Sequence, residues 1–137
     1  MSNESGSSLQ VAGAAYLAGE LHPQHALPTR AMYVAVDTDT DTVVGLIAGH
    51  LTRRYDCDGE LQWIDVAPDH QQQGIASALL CQLATWFASH HATRICVDVD
   101  SANTIARRFY ARHGAVPLNP HWLVWPDITV VLTPATG

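Results

Sequence analysis

Lysine is absent from this chain. Its seven cationic side chains are all arginine, against thirteen Asp and Glu, for a formal net charge of −6. A general nucleic-acid binder carries a basic surface, so that partner class is disfavoured. Charged residues of any kind are scarce at 15%, while hydrophobic residues reach 47%, a balance that excludes disorder over most of the length. At 137 residues, one domain with a sizeable core is the expectation. No apolar run approaches membrane-spanning length, and the polar, Ser/Gly-rich residues 1–8 form no signal peptide and read as a disordered tail. The three cysteines, Cys57, Cys81 and Cys96, lack the close spacing of a zinc knuckle and imply no disulfide framework. A reducing cytoplasm fits them. Cys57 lies in a polar turn and is expected at the surface. Eight histidines include no His-x-x-x-His pair, so no metal is expected.

What is present is a succession of periodic segments. An Ala-rich helix is expected over 9–21, then a Pro-containing loop over 22–30. Strands follow over 32–36 and 43–50, joined by a polar Asp/Thr turn as a hairpin, and over 60–66, closed by Pro68. The clearest helix covers 72–90, where Ile75, Leu79, Leu83 and Phe87 recur every four residues. A mostly apolar strand over 94–99 suits a buried, central position. Ser101 or Asn103 can cap the next helix, over 104–113, which Gly114 ends. A Pro-rich segment with Trp122 and Trp125 leads to a last strand over 128–133. The order describes a mixed α/β sheet flanked by helices.

Two patterns carry chemistry. Strand 60–66 runs into Gln71-x-x-Gly74-x-Ala76 at the start of a helix. Such a turn presents unpaired backbone N–H groups at the positive end of the helix, a seat for phosphate. Alone this pattern is weak. After the next strand comes Asn103-x-x-Ala106-x-x-Phe109-Tyr110-x-x-x-Gly114-Ala115. In this order and separation the two patterns resemble the GNAT superfamily of N-acyltransferases, over residues 34–115.

The resemblance implies a mostly antiparallel sheet, splayed between the strands over 60–66 and 94–99. Acetyl-CoA is the implied donor. Its pantetheine arm would pair with the backbone of Ile64, Asp65 and Val66, where a β-bulge commonly frees backbone groups. Its pyrophosphate would lie on the N–H groups of Gln71, Gln72, Gln73, Gly74, Ile75 and Ala76. Gly74 permits close backbone approach, and small Ala76 does so less fully. Gln71 and Gln73 stand where many relatives carry a cation, so binding would rest on backbone dipoles. Asn103, Ala106, Phe109 and Tyr110 complete the cofactor side, with Asn103 serving as pantetheine ligand, helix cap or both.

Three side chains are candidates for proton transfer. Tyr110 matches the family's tyrosine beside the thioester sulfur and would protonate the departing thiolate. Glu60 matches the carboxylate base of several members, and water is the alternative base. Asp98 matches a glutamate of some peptide N-terminal acetyltransferases, one methylene shorter. The backbone N–H near Val66 would polarise the thioester carbonyl. Trp122 and Trp125 either wall the acceptor pocket or cap the core. Arg53 and Arg54 either meet the adenosine 3′-phosphate or lie on the surface.

The resulting expectation is a cytoplasmic N-acetyltransferase acting on a small-molecule or peptide amine by direct attack in a ternary complex, with neither nucleic acid nor membrane as partner. A homodimer is compatible with it. The alternatives are a catalytically silent acyl-CoA-binding module and a structural partner subunit. Relatives usually begin with a strand before one or two helices. No strand pattern occurs among the roughly thirty residues before Met32, so the acceptor side reads as shortened and the acceptor itself stays open.

Overall fold

A computed structural model describes residues 16–18 and 25–133. The tail over 1–8 and most of the helix over 9–21 lie outside the described residues, although Tyr16 and Leu17 are helical. The strands are β1 (Ala26–Asp37), β2 (Thr42–Thr52), β3 (Gly59–Val66), β4 (Ile95–Asp98), β5 (Val116–Asn119) and β6 (Trp122–Trp125). The helices are α1 (Ile75–Ser89) and α2 (Thr104–Arg112). The six strands form one sheet in the order β1-β2-β3-β4-β6-β5. Only β3 and β4 pair in parallel; the other neighbours are antiparallel. This is the expected mixed, mostly antiparallel sheet.

Three boundaries differ from expectation. β1 begins at Ala26, inside the segment read as a loop on account of Pro23 and Pro28. A missing N–H is tolerable at Pro28 because β1 is the edge strand of the described sheet, and its register with β2 shifts between Ala26 and Arg30. α1 begins at Ile75 rather than at residue 72, since Gln72 and Gly74 have φ of 63° and 80° and cannot continue a helix. The last strand expected, over 128–133, is instead a 3₁₀ helix, Ile128–Leu132. The Asp127 carboxylate accepts from Thr129 N at 3.0 Å and Thr129 Oγ1 at 2.6 Å, a local bond that competes with a β ladder. Trp122–Trp125 pairs with β4 in its place.

The apolar stripe of α1 explains where the core lies. Leu79, Leu80, Leu83, Ala84 and Phe87 are buried against one face of the sheet. α1 lies so close that a Cβ on Gly59 would come within 2.4 Å of the Phe87 ring. Ile47, Leu61, Ile95 and Val97 share that core with Tyr110 of α2 and Trp125 of β6. Burial of such side chains stabilises by roughly 1.5–3 kcal/mol each. The alternate residues His50, Glu60 and Cys96 point to the opposite face, since side chains alternate along a strand.

A β-bulge sets the active geometry. In the β2–β3 register Ala48 faces Trp63 and Gly49 faces Leu61, so Gln62 is the extra residue. The parallel pairing of β3 with β4 covers only Gly59, Glu60 and Leu61. The strands therefore separate where the bulge begins, and Trp63–Val66 keeps β2 on one side while leaving its other edge without a β4 partner. At the joined end, Asp58 Oδ2 accepts from Thr93 N at 2.9 Å and Arg94 N at 3.0 Å, pinning the start of β3 to the start of β4.

Candidate active site

The gap between β3 and β4 opens into a cleft of about 820 Å³. Ile64, Asp65 and Val66 of β3 line it, followed by His70, Gln71 and Gln72 of the connecting loop. Gly74, Ile75, Ala76 and Ser77 contribute the first turn of α1, and Asn103, Ile105, Ala106, Phe109, Tyr110 and Arg112 contribute one side of α2. Of the thirteen cofactor-side residues expected, twelve line one cavity; Gln73 does not, and its amide reaches instead toward Asp69 O at 3.5 Å.

The loop is built for close backbone approach. Nothing lies within 4 Å of where a Gly74 Cβ would stand, so glycine is required there by its φ of 80° and not by crowding. No side chain caps α1, so the N–H groups of its first turn stay available at the cleft. Gln71 folds back: its Nε2 donates to Val66 O at 3.2 Å and closes the turn rather than reaching into the gap. His70 Nε2 contacts Asp37 Oδ2 at 3.1 Å, tying the loop to the end of β1. That contact holds the Asp37 carboxyl below its ordinary range, helped by the Asp39 N–H.

α2 carries Tyr110 to the inner wall. Asn103 Oδ1 accepts from Ala106 N at 3.1 Å, so Asn103 rather than Ser101 is the cap, worth about 1 kcal/mol. The Tyr110 ring packs against Phe109 and, edge on, against Trp125. Burial pushes its hydroxyl up to about 12, which keeps the proton on at neutral pH. Ser77 Oγ, in the cleft wall, and His113 Nε2 are 3.1 Å apart and hold the two helices together.

The other two proton-transfer candidates lie outside the cleft lining. Glu60 is on the sheet face opposite α1, buried, with the Arg54 Nε donating to its Oε1 at 3.1 Å. It is not a solvated strand-end acid. Asp98 is exposed at the end of β4, opposite Trp122 of β6. Arg54 also lies over the Trp122 ring at 4.6 Å, which keeps it on the Glu60 side, away from the cleft. Arg112 is the arginine that lines the cleft. Trp125 is fully buried in the core, whereas Trp122 is partly exposed. Cys57, expected at the surface, is buried against Cys96 and Val124.

Sequence reasoning missed His50 and Tyr16. His50 is fully buried, with Nδ1 2.6 Å from the Tyr16 hydroxyl and Nε2 3.6 Å from Glu60 Oε1. The signal was the hairpin register, which sets His50 directly opposite Glu60. It also missed His70, Ser77, Ile105 and Arg112, which fall between or beside the motif positions on the same loop and helices. Among the described residues no group of three or more His, Cys, Asp or Glu is placed to hold a metal, and no helix is long and apolar enough to cross a membrane.

The model of the GNAT acetyltransferase family matches residues 7–115. No curated protein matches the chain. Among solved structures, the NatC complex bound to Gag peptide and CoA aligns with a TM-score of 0.61 at 21% identity, over 69% of this chain and 70% of that one. Nourseothricin acetyltransferase aligns at 0.64 with 18% identity, over 73% and 66%. The paia N-acetyltransferase of Thermoplasma acidophilum in complex with coenzyme A aligns at 0.61 with 14% identity, over 72% and 61%. At these identities the likeness is one of fold: a splayed sheet with a helix opening at the gap. With the family model spanning most of its length, the chain belongs to the GNAT acetyltransferase family.

Proposed function

We propose that this protein is an N-acetyltransferase that moves an acetyl group from acetyl-CoA to an amine by direct attack in a ternary complex. The observation that supports this best is the single cleft uniting the free edge of β3, the uncapped start of α1 and the Tyr110 wall of α2. The backbone of Ile64–Val66 would hold the pantetheine amides. The N–H groups around Gln72, Gly74, Ile75 and Ala76 would hold the pyrophosphate, aided by the α1 dipole and the Arg112 guanidinium. The open space over Gly74 fits a group that must come close to backbone.

An amine attacks only after losing its proton, and the thiolate leaves most easily if it gains one. Tyr110, kept protonated by burial, would supply the second proton as general acid. Glu60, directly or through water, would take the first from the opposite face of the sheet. A backbone N–H near Val66 would stabilise the oxyanion as the carbonyl becomes tetrahedral. The thioester is already activated, so no covalent enzyme intermediate is required. Asp98, exposed at a strand end, takes no part in this scheme.

The test is release of free CoA from acetyl-CoA on addition of a panel of small amines and peptide N-termini. Amine-dependent release supports the transferase. Binding of acetyl-CoA with no release for any acceptor contradicts it and leaves a silent acyl-CoA-binding module. Absence of binding as well favours the structural subunit.

A further inference from the structure

We propose that His50 is the positioning residue for the Glu60 carboxylate, locked in a single tautomer by Tyr16. The proposal rests on the reading of Glu60 as base. It begins from an anomaly: His50 is fully buried, yet its Nε2 has no hydrogen-bond partner among the described residues. Buried polar atoms are rarely left in this state, so it calls for a role.

The neighbours define the proton positions. The Tyr16 hydroxyl lies 2.6 Å from His50 Nδ1. Burial raises the Tyr16 hydroxyl far above its ordinary range, so the phenol keeps its proton. Nδ1 is the acceptor within reach for that proton, and in a neutral imidazole the remaining proton then sits on Nε2. Nε2, carrying that proton, is 3.6 Å from Glu60 Oε1, just beyond hydrogen-bond length and within reach of the tightening that catalytic hydrogen bonds undergo in a bound complex. The bulge at Gln62 completes the arrangement. By adding one residue it returns Trp63 to the same face as Glu60, and Trp63 packs on the Tyr16 ring with centroids 5.2 Å apart. The charged and titratable groups around the pair are Arg54, bonded to Glu60, Arg30, whose guanidinium lies over the Tyr16 ring at 4.8 Å, and the Cys96 thiol opposite Glu60 across the β3–β4 register. His50 therefore does not exchange protons with the substrate. It aims the carboxylate that does, by donating to it.

Four variants and one spectrum test this. Two-bond ¹H–¹⁵N spectra of the wild-type protein above neutral pH are expected to show His50 protonated at Nε2 and bare at Nδ1; the opposite tautomer overturns the proposal. Tyr16→Phe removes one hydroxyl from a site that keeps its ring, and is expected to release the tautomer and move the acid limb of the kcat/KM profile to higher pH. His50→Leu is expected to move it the same way and to lower kcat by up to about a hundredfold, the cost of a misplaced catalytic group, with KM for acetyl-CoA unchanged. The double variant is expected to be no slower than His50→Leu alone. Glu60→Gln separates the two readings. If it leaves kcat intact, the base assignment fails and the proposal with it. If it lowers kcat while Tyr16→Phe and His50→Leu keep the wild-type pH profile, only the role of His50 fails.

Discussion

The two faces of the sheet solve different problems with different materials. On the α1 face, the cleft is made of backbone: a strand edge freed by a bulge, a loop with two residues at positive φ, and a helix start without a capping side chain. On the opposite face, a buried row of side chains runs Tyr16, His50, Glu60, Arg54. The first arrangement suits an anionic ligand recognised by backbone N–H groups. The second draws its groups from separate segments of the chain. With the donor proposed in the main-chain cleft and the base proposed on the opposite face, the two should respond to mutation in separable ways.

The largest separation is expected from Gly74→Glu. A side chain there must adopt a φ of 80° and places a carboxylate where the pyrophosphate would lie. Acetyl-CoA binding measured by calorimetry is expected to vanish, while His50 and Glu60, on the far face, keep their geometry. Tyr110→Phe comes next. It removes the proposed general acid's hydroxyl but not the ring, and kcat is expected to fall roughly tenfold to ten-thousandfold with acetyl-CoA affinity retained; an unchanged rate refutes the assignment.

A smaller effect tests the end where β3 and β4 stay joined. The Arg94 and Thr93 backbone N–H groups hold the Asp58 carboxyl below its ordinary range. A depressed folded-state value means that Asp58 stabilises the fold above the usual carboxylate range, about pH 4, and that this contribution is lost as pH falls through the folded value. Asp58→Ala is expected to cost on the order of 1 kcal/mol near neutral pH, allowing for its exposure, and to flatten the acid side of a Tm–pH curve. Equal Tm for variant and wild type at neutral pH contradicts this. The smallest effect is expected from Asp98→Asn. With the carboxylate exposed at a strand end, kcat should change by less than about twofold, and a large drop would return Asp98 to the reaction.

The contrast between the faces also explains how much was legible in the sequence. Residues 64–76 and 103–110 are local patterns, and local patterns fix local backbone, so most of the cleft lining was legible from sequence, His70, Ser77, Ile105 and Arg112 excepted. The α1 stripe was equally clear, although its start was placed three residues early because Gln72 carries no outward mark of positive φ. The segment over 128–133 misled because its β-branched residues suit a strand, while the Asp127–Thr129 bond and the pairing of Trp122–Trp125 with β4 decide otherwise. Glu60 was found only through the family pattern. His50 and Tyr16 could not be found that way, since their meaning arises from strand register and from a contact spanning 34 residues.

Coenzyme A is proposed to lie where β3 parts from β4. Titration of the ¹⁵N-labelled protein with CoA tests it residue by residue. The account predicts the largest amide shifts at Ile64–Val66, around Gln72–Ser77, and at Asn103 and Ala106, with little change at β1 or β5. Saturable shifts confined to other segments, with Gly74 and Val66 unmoved, would contradict it.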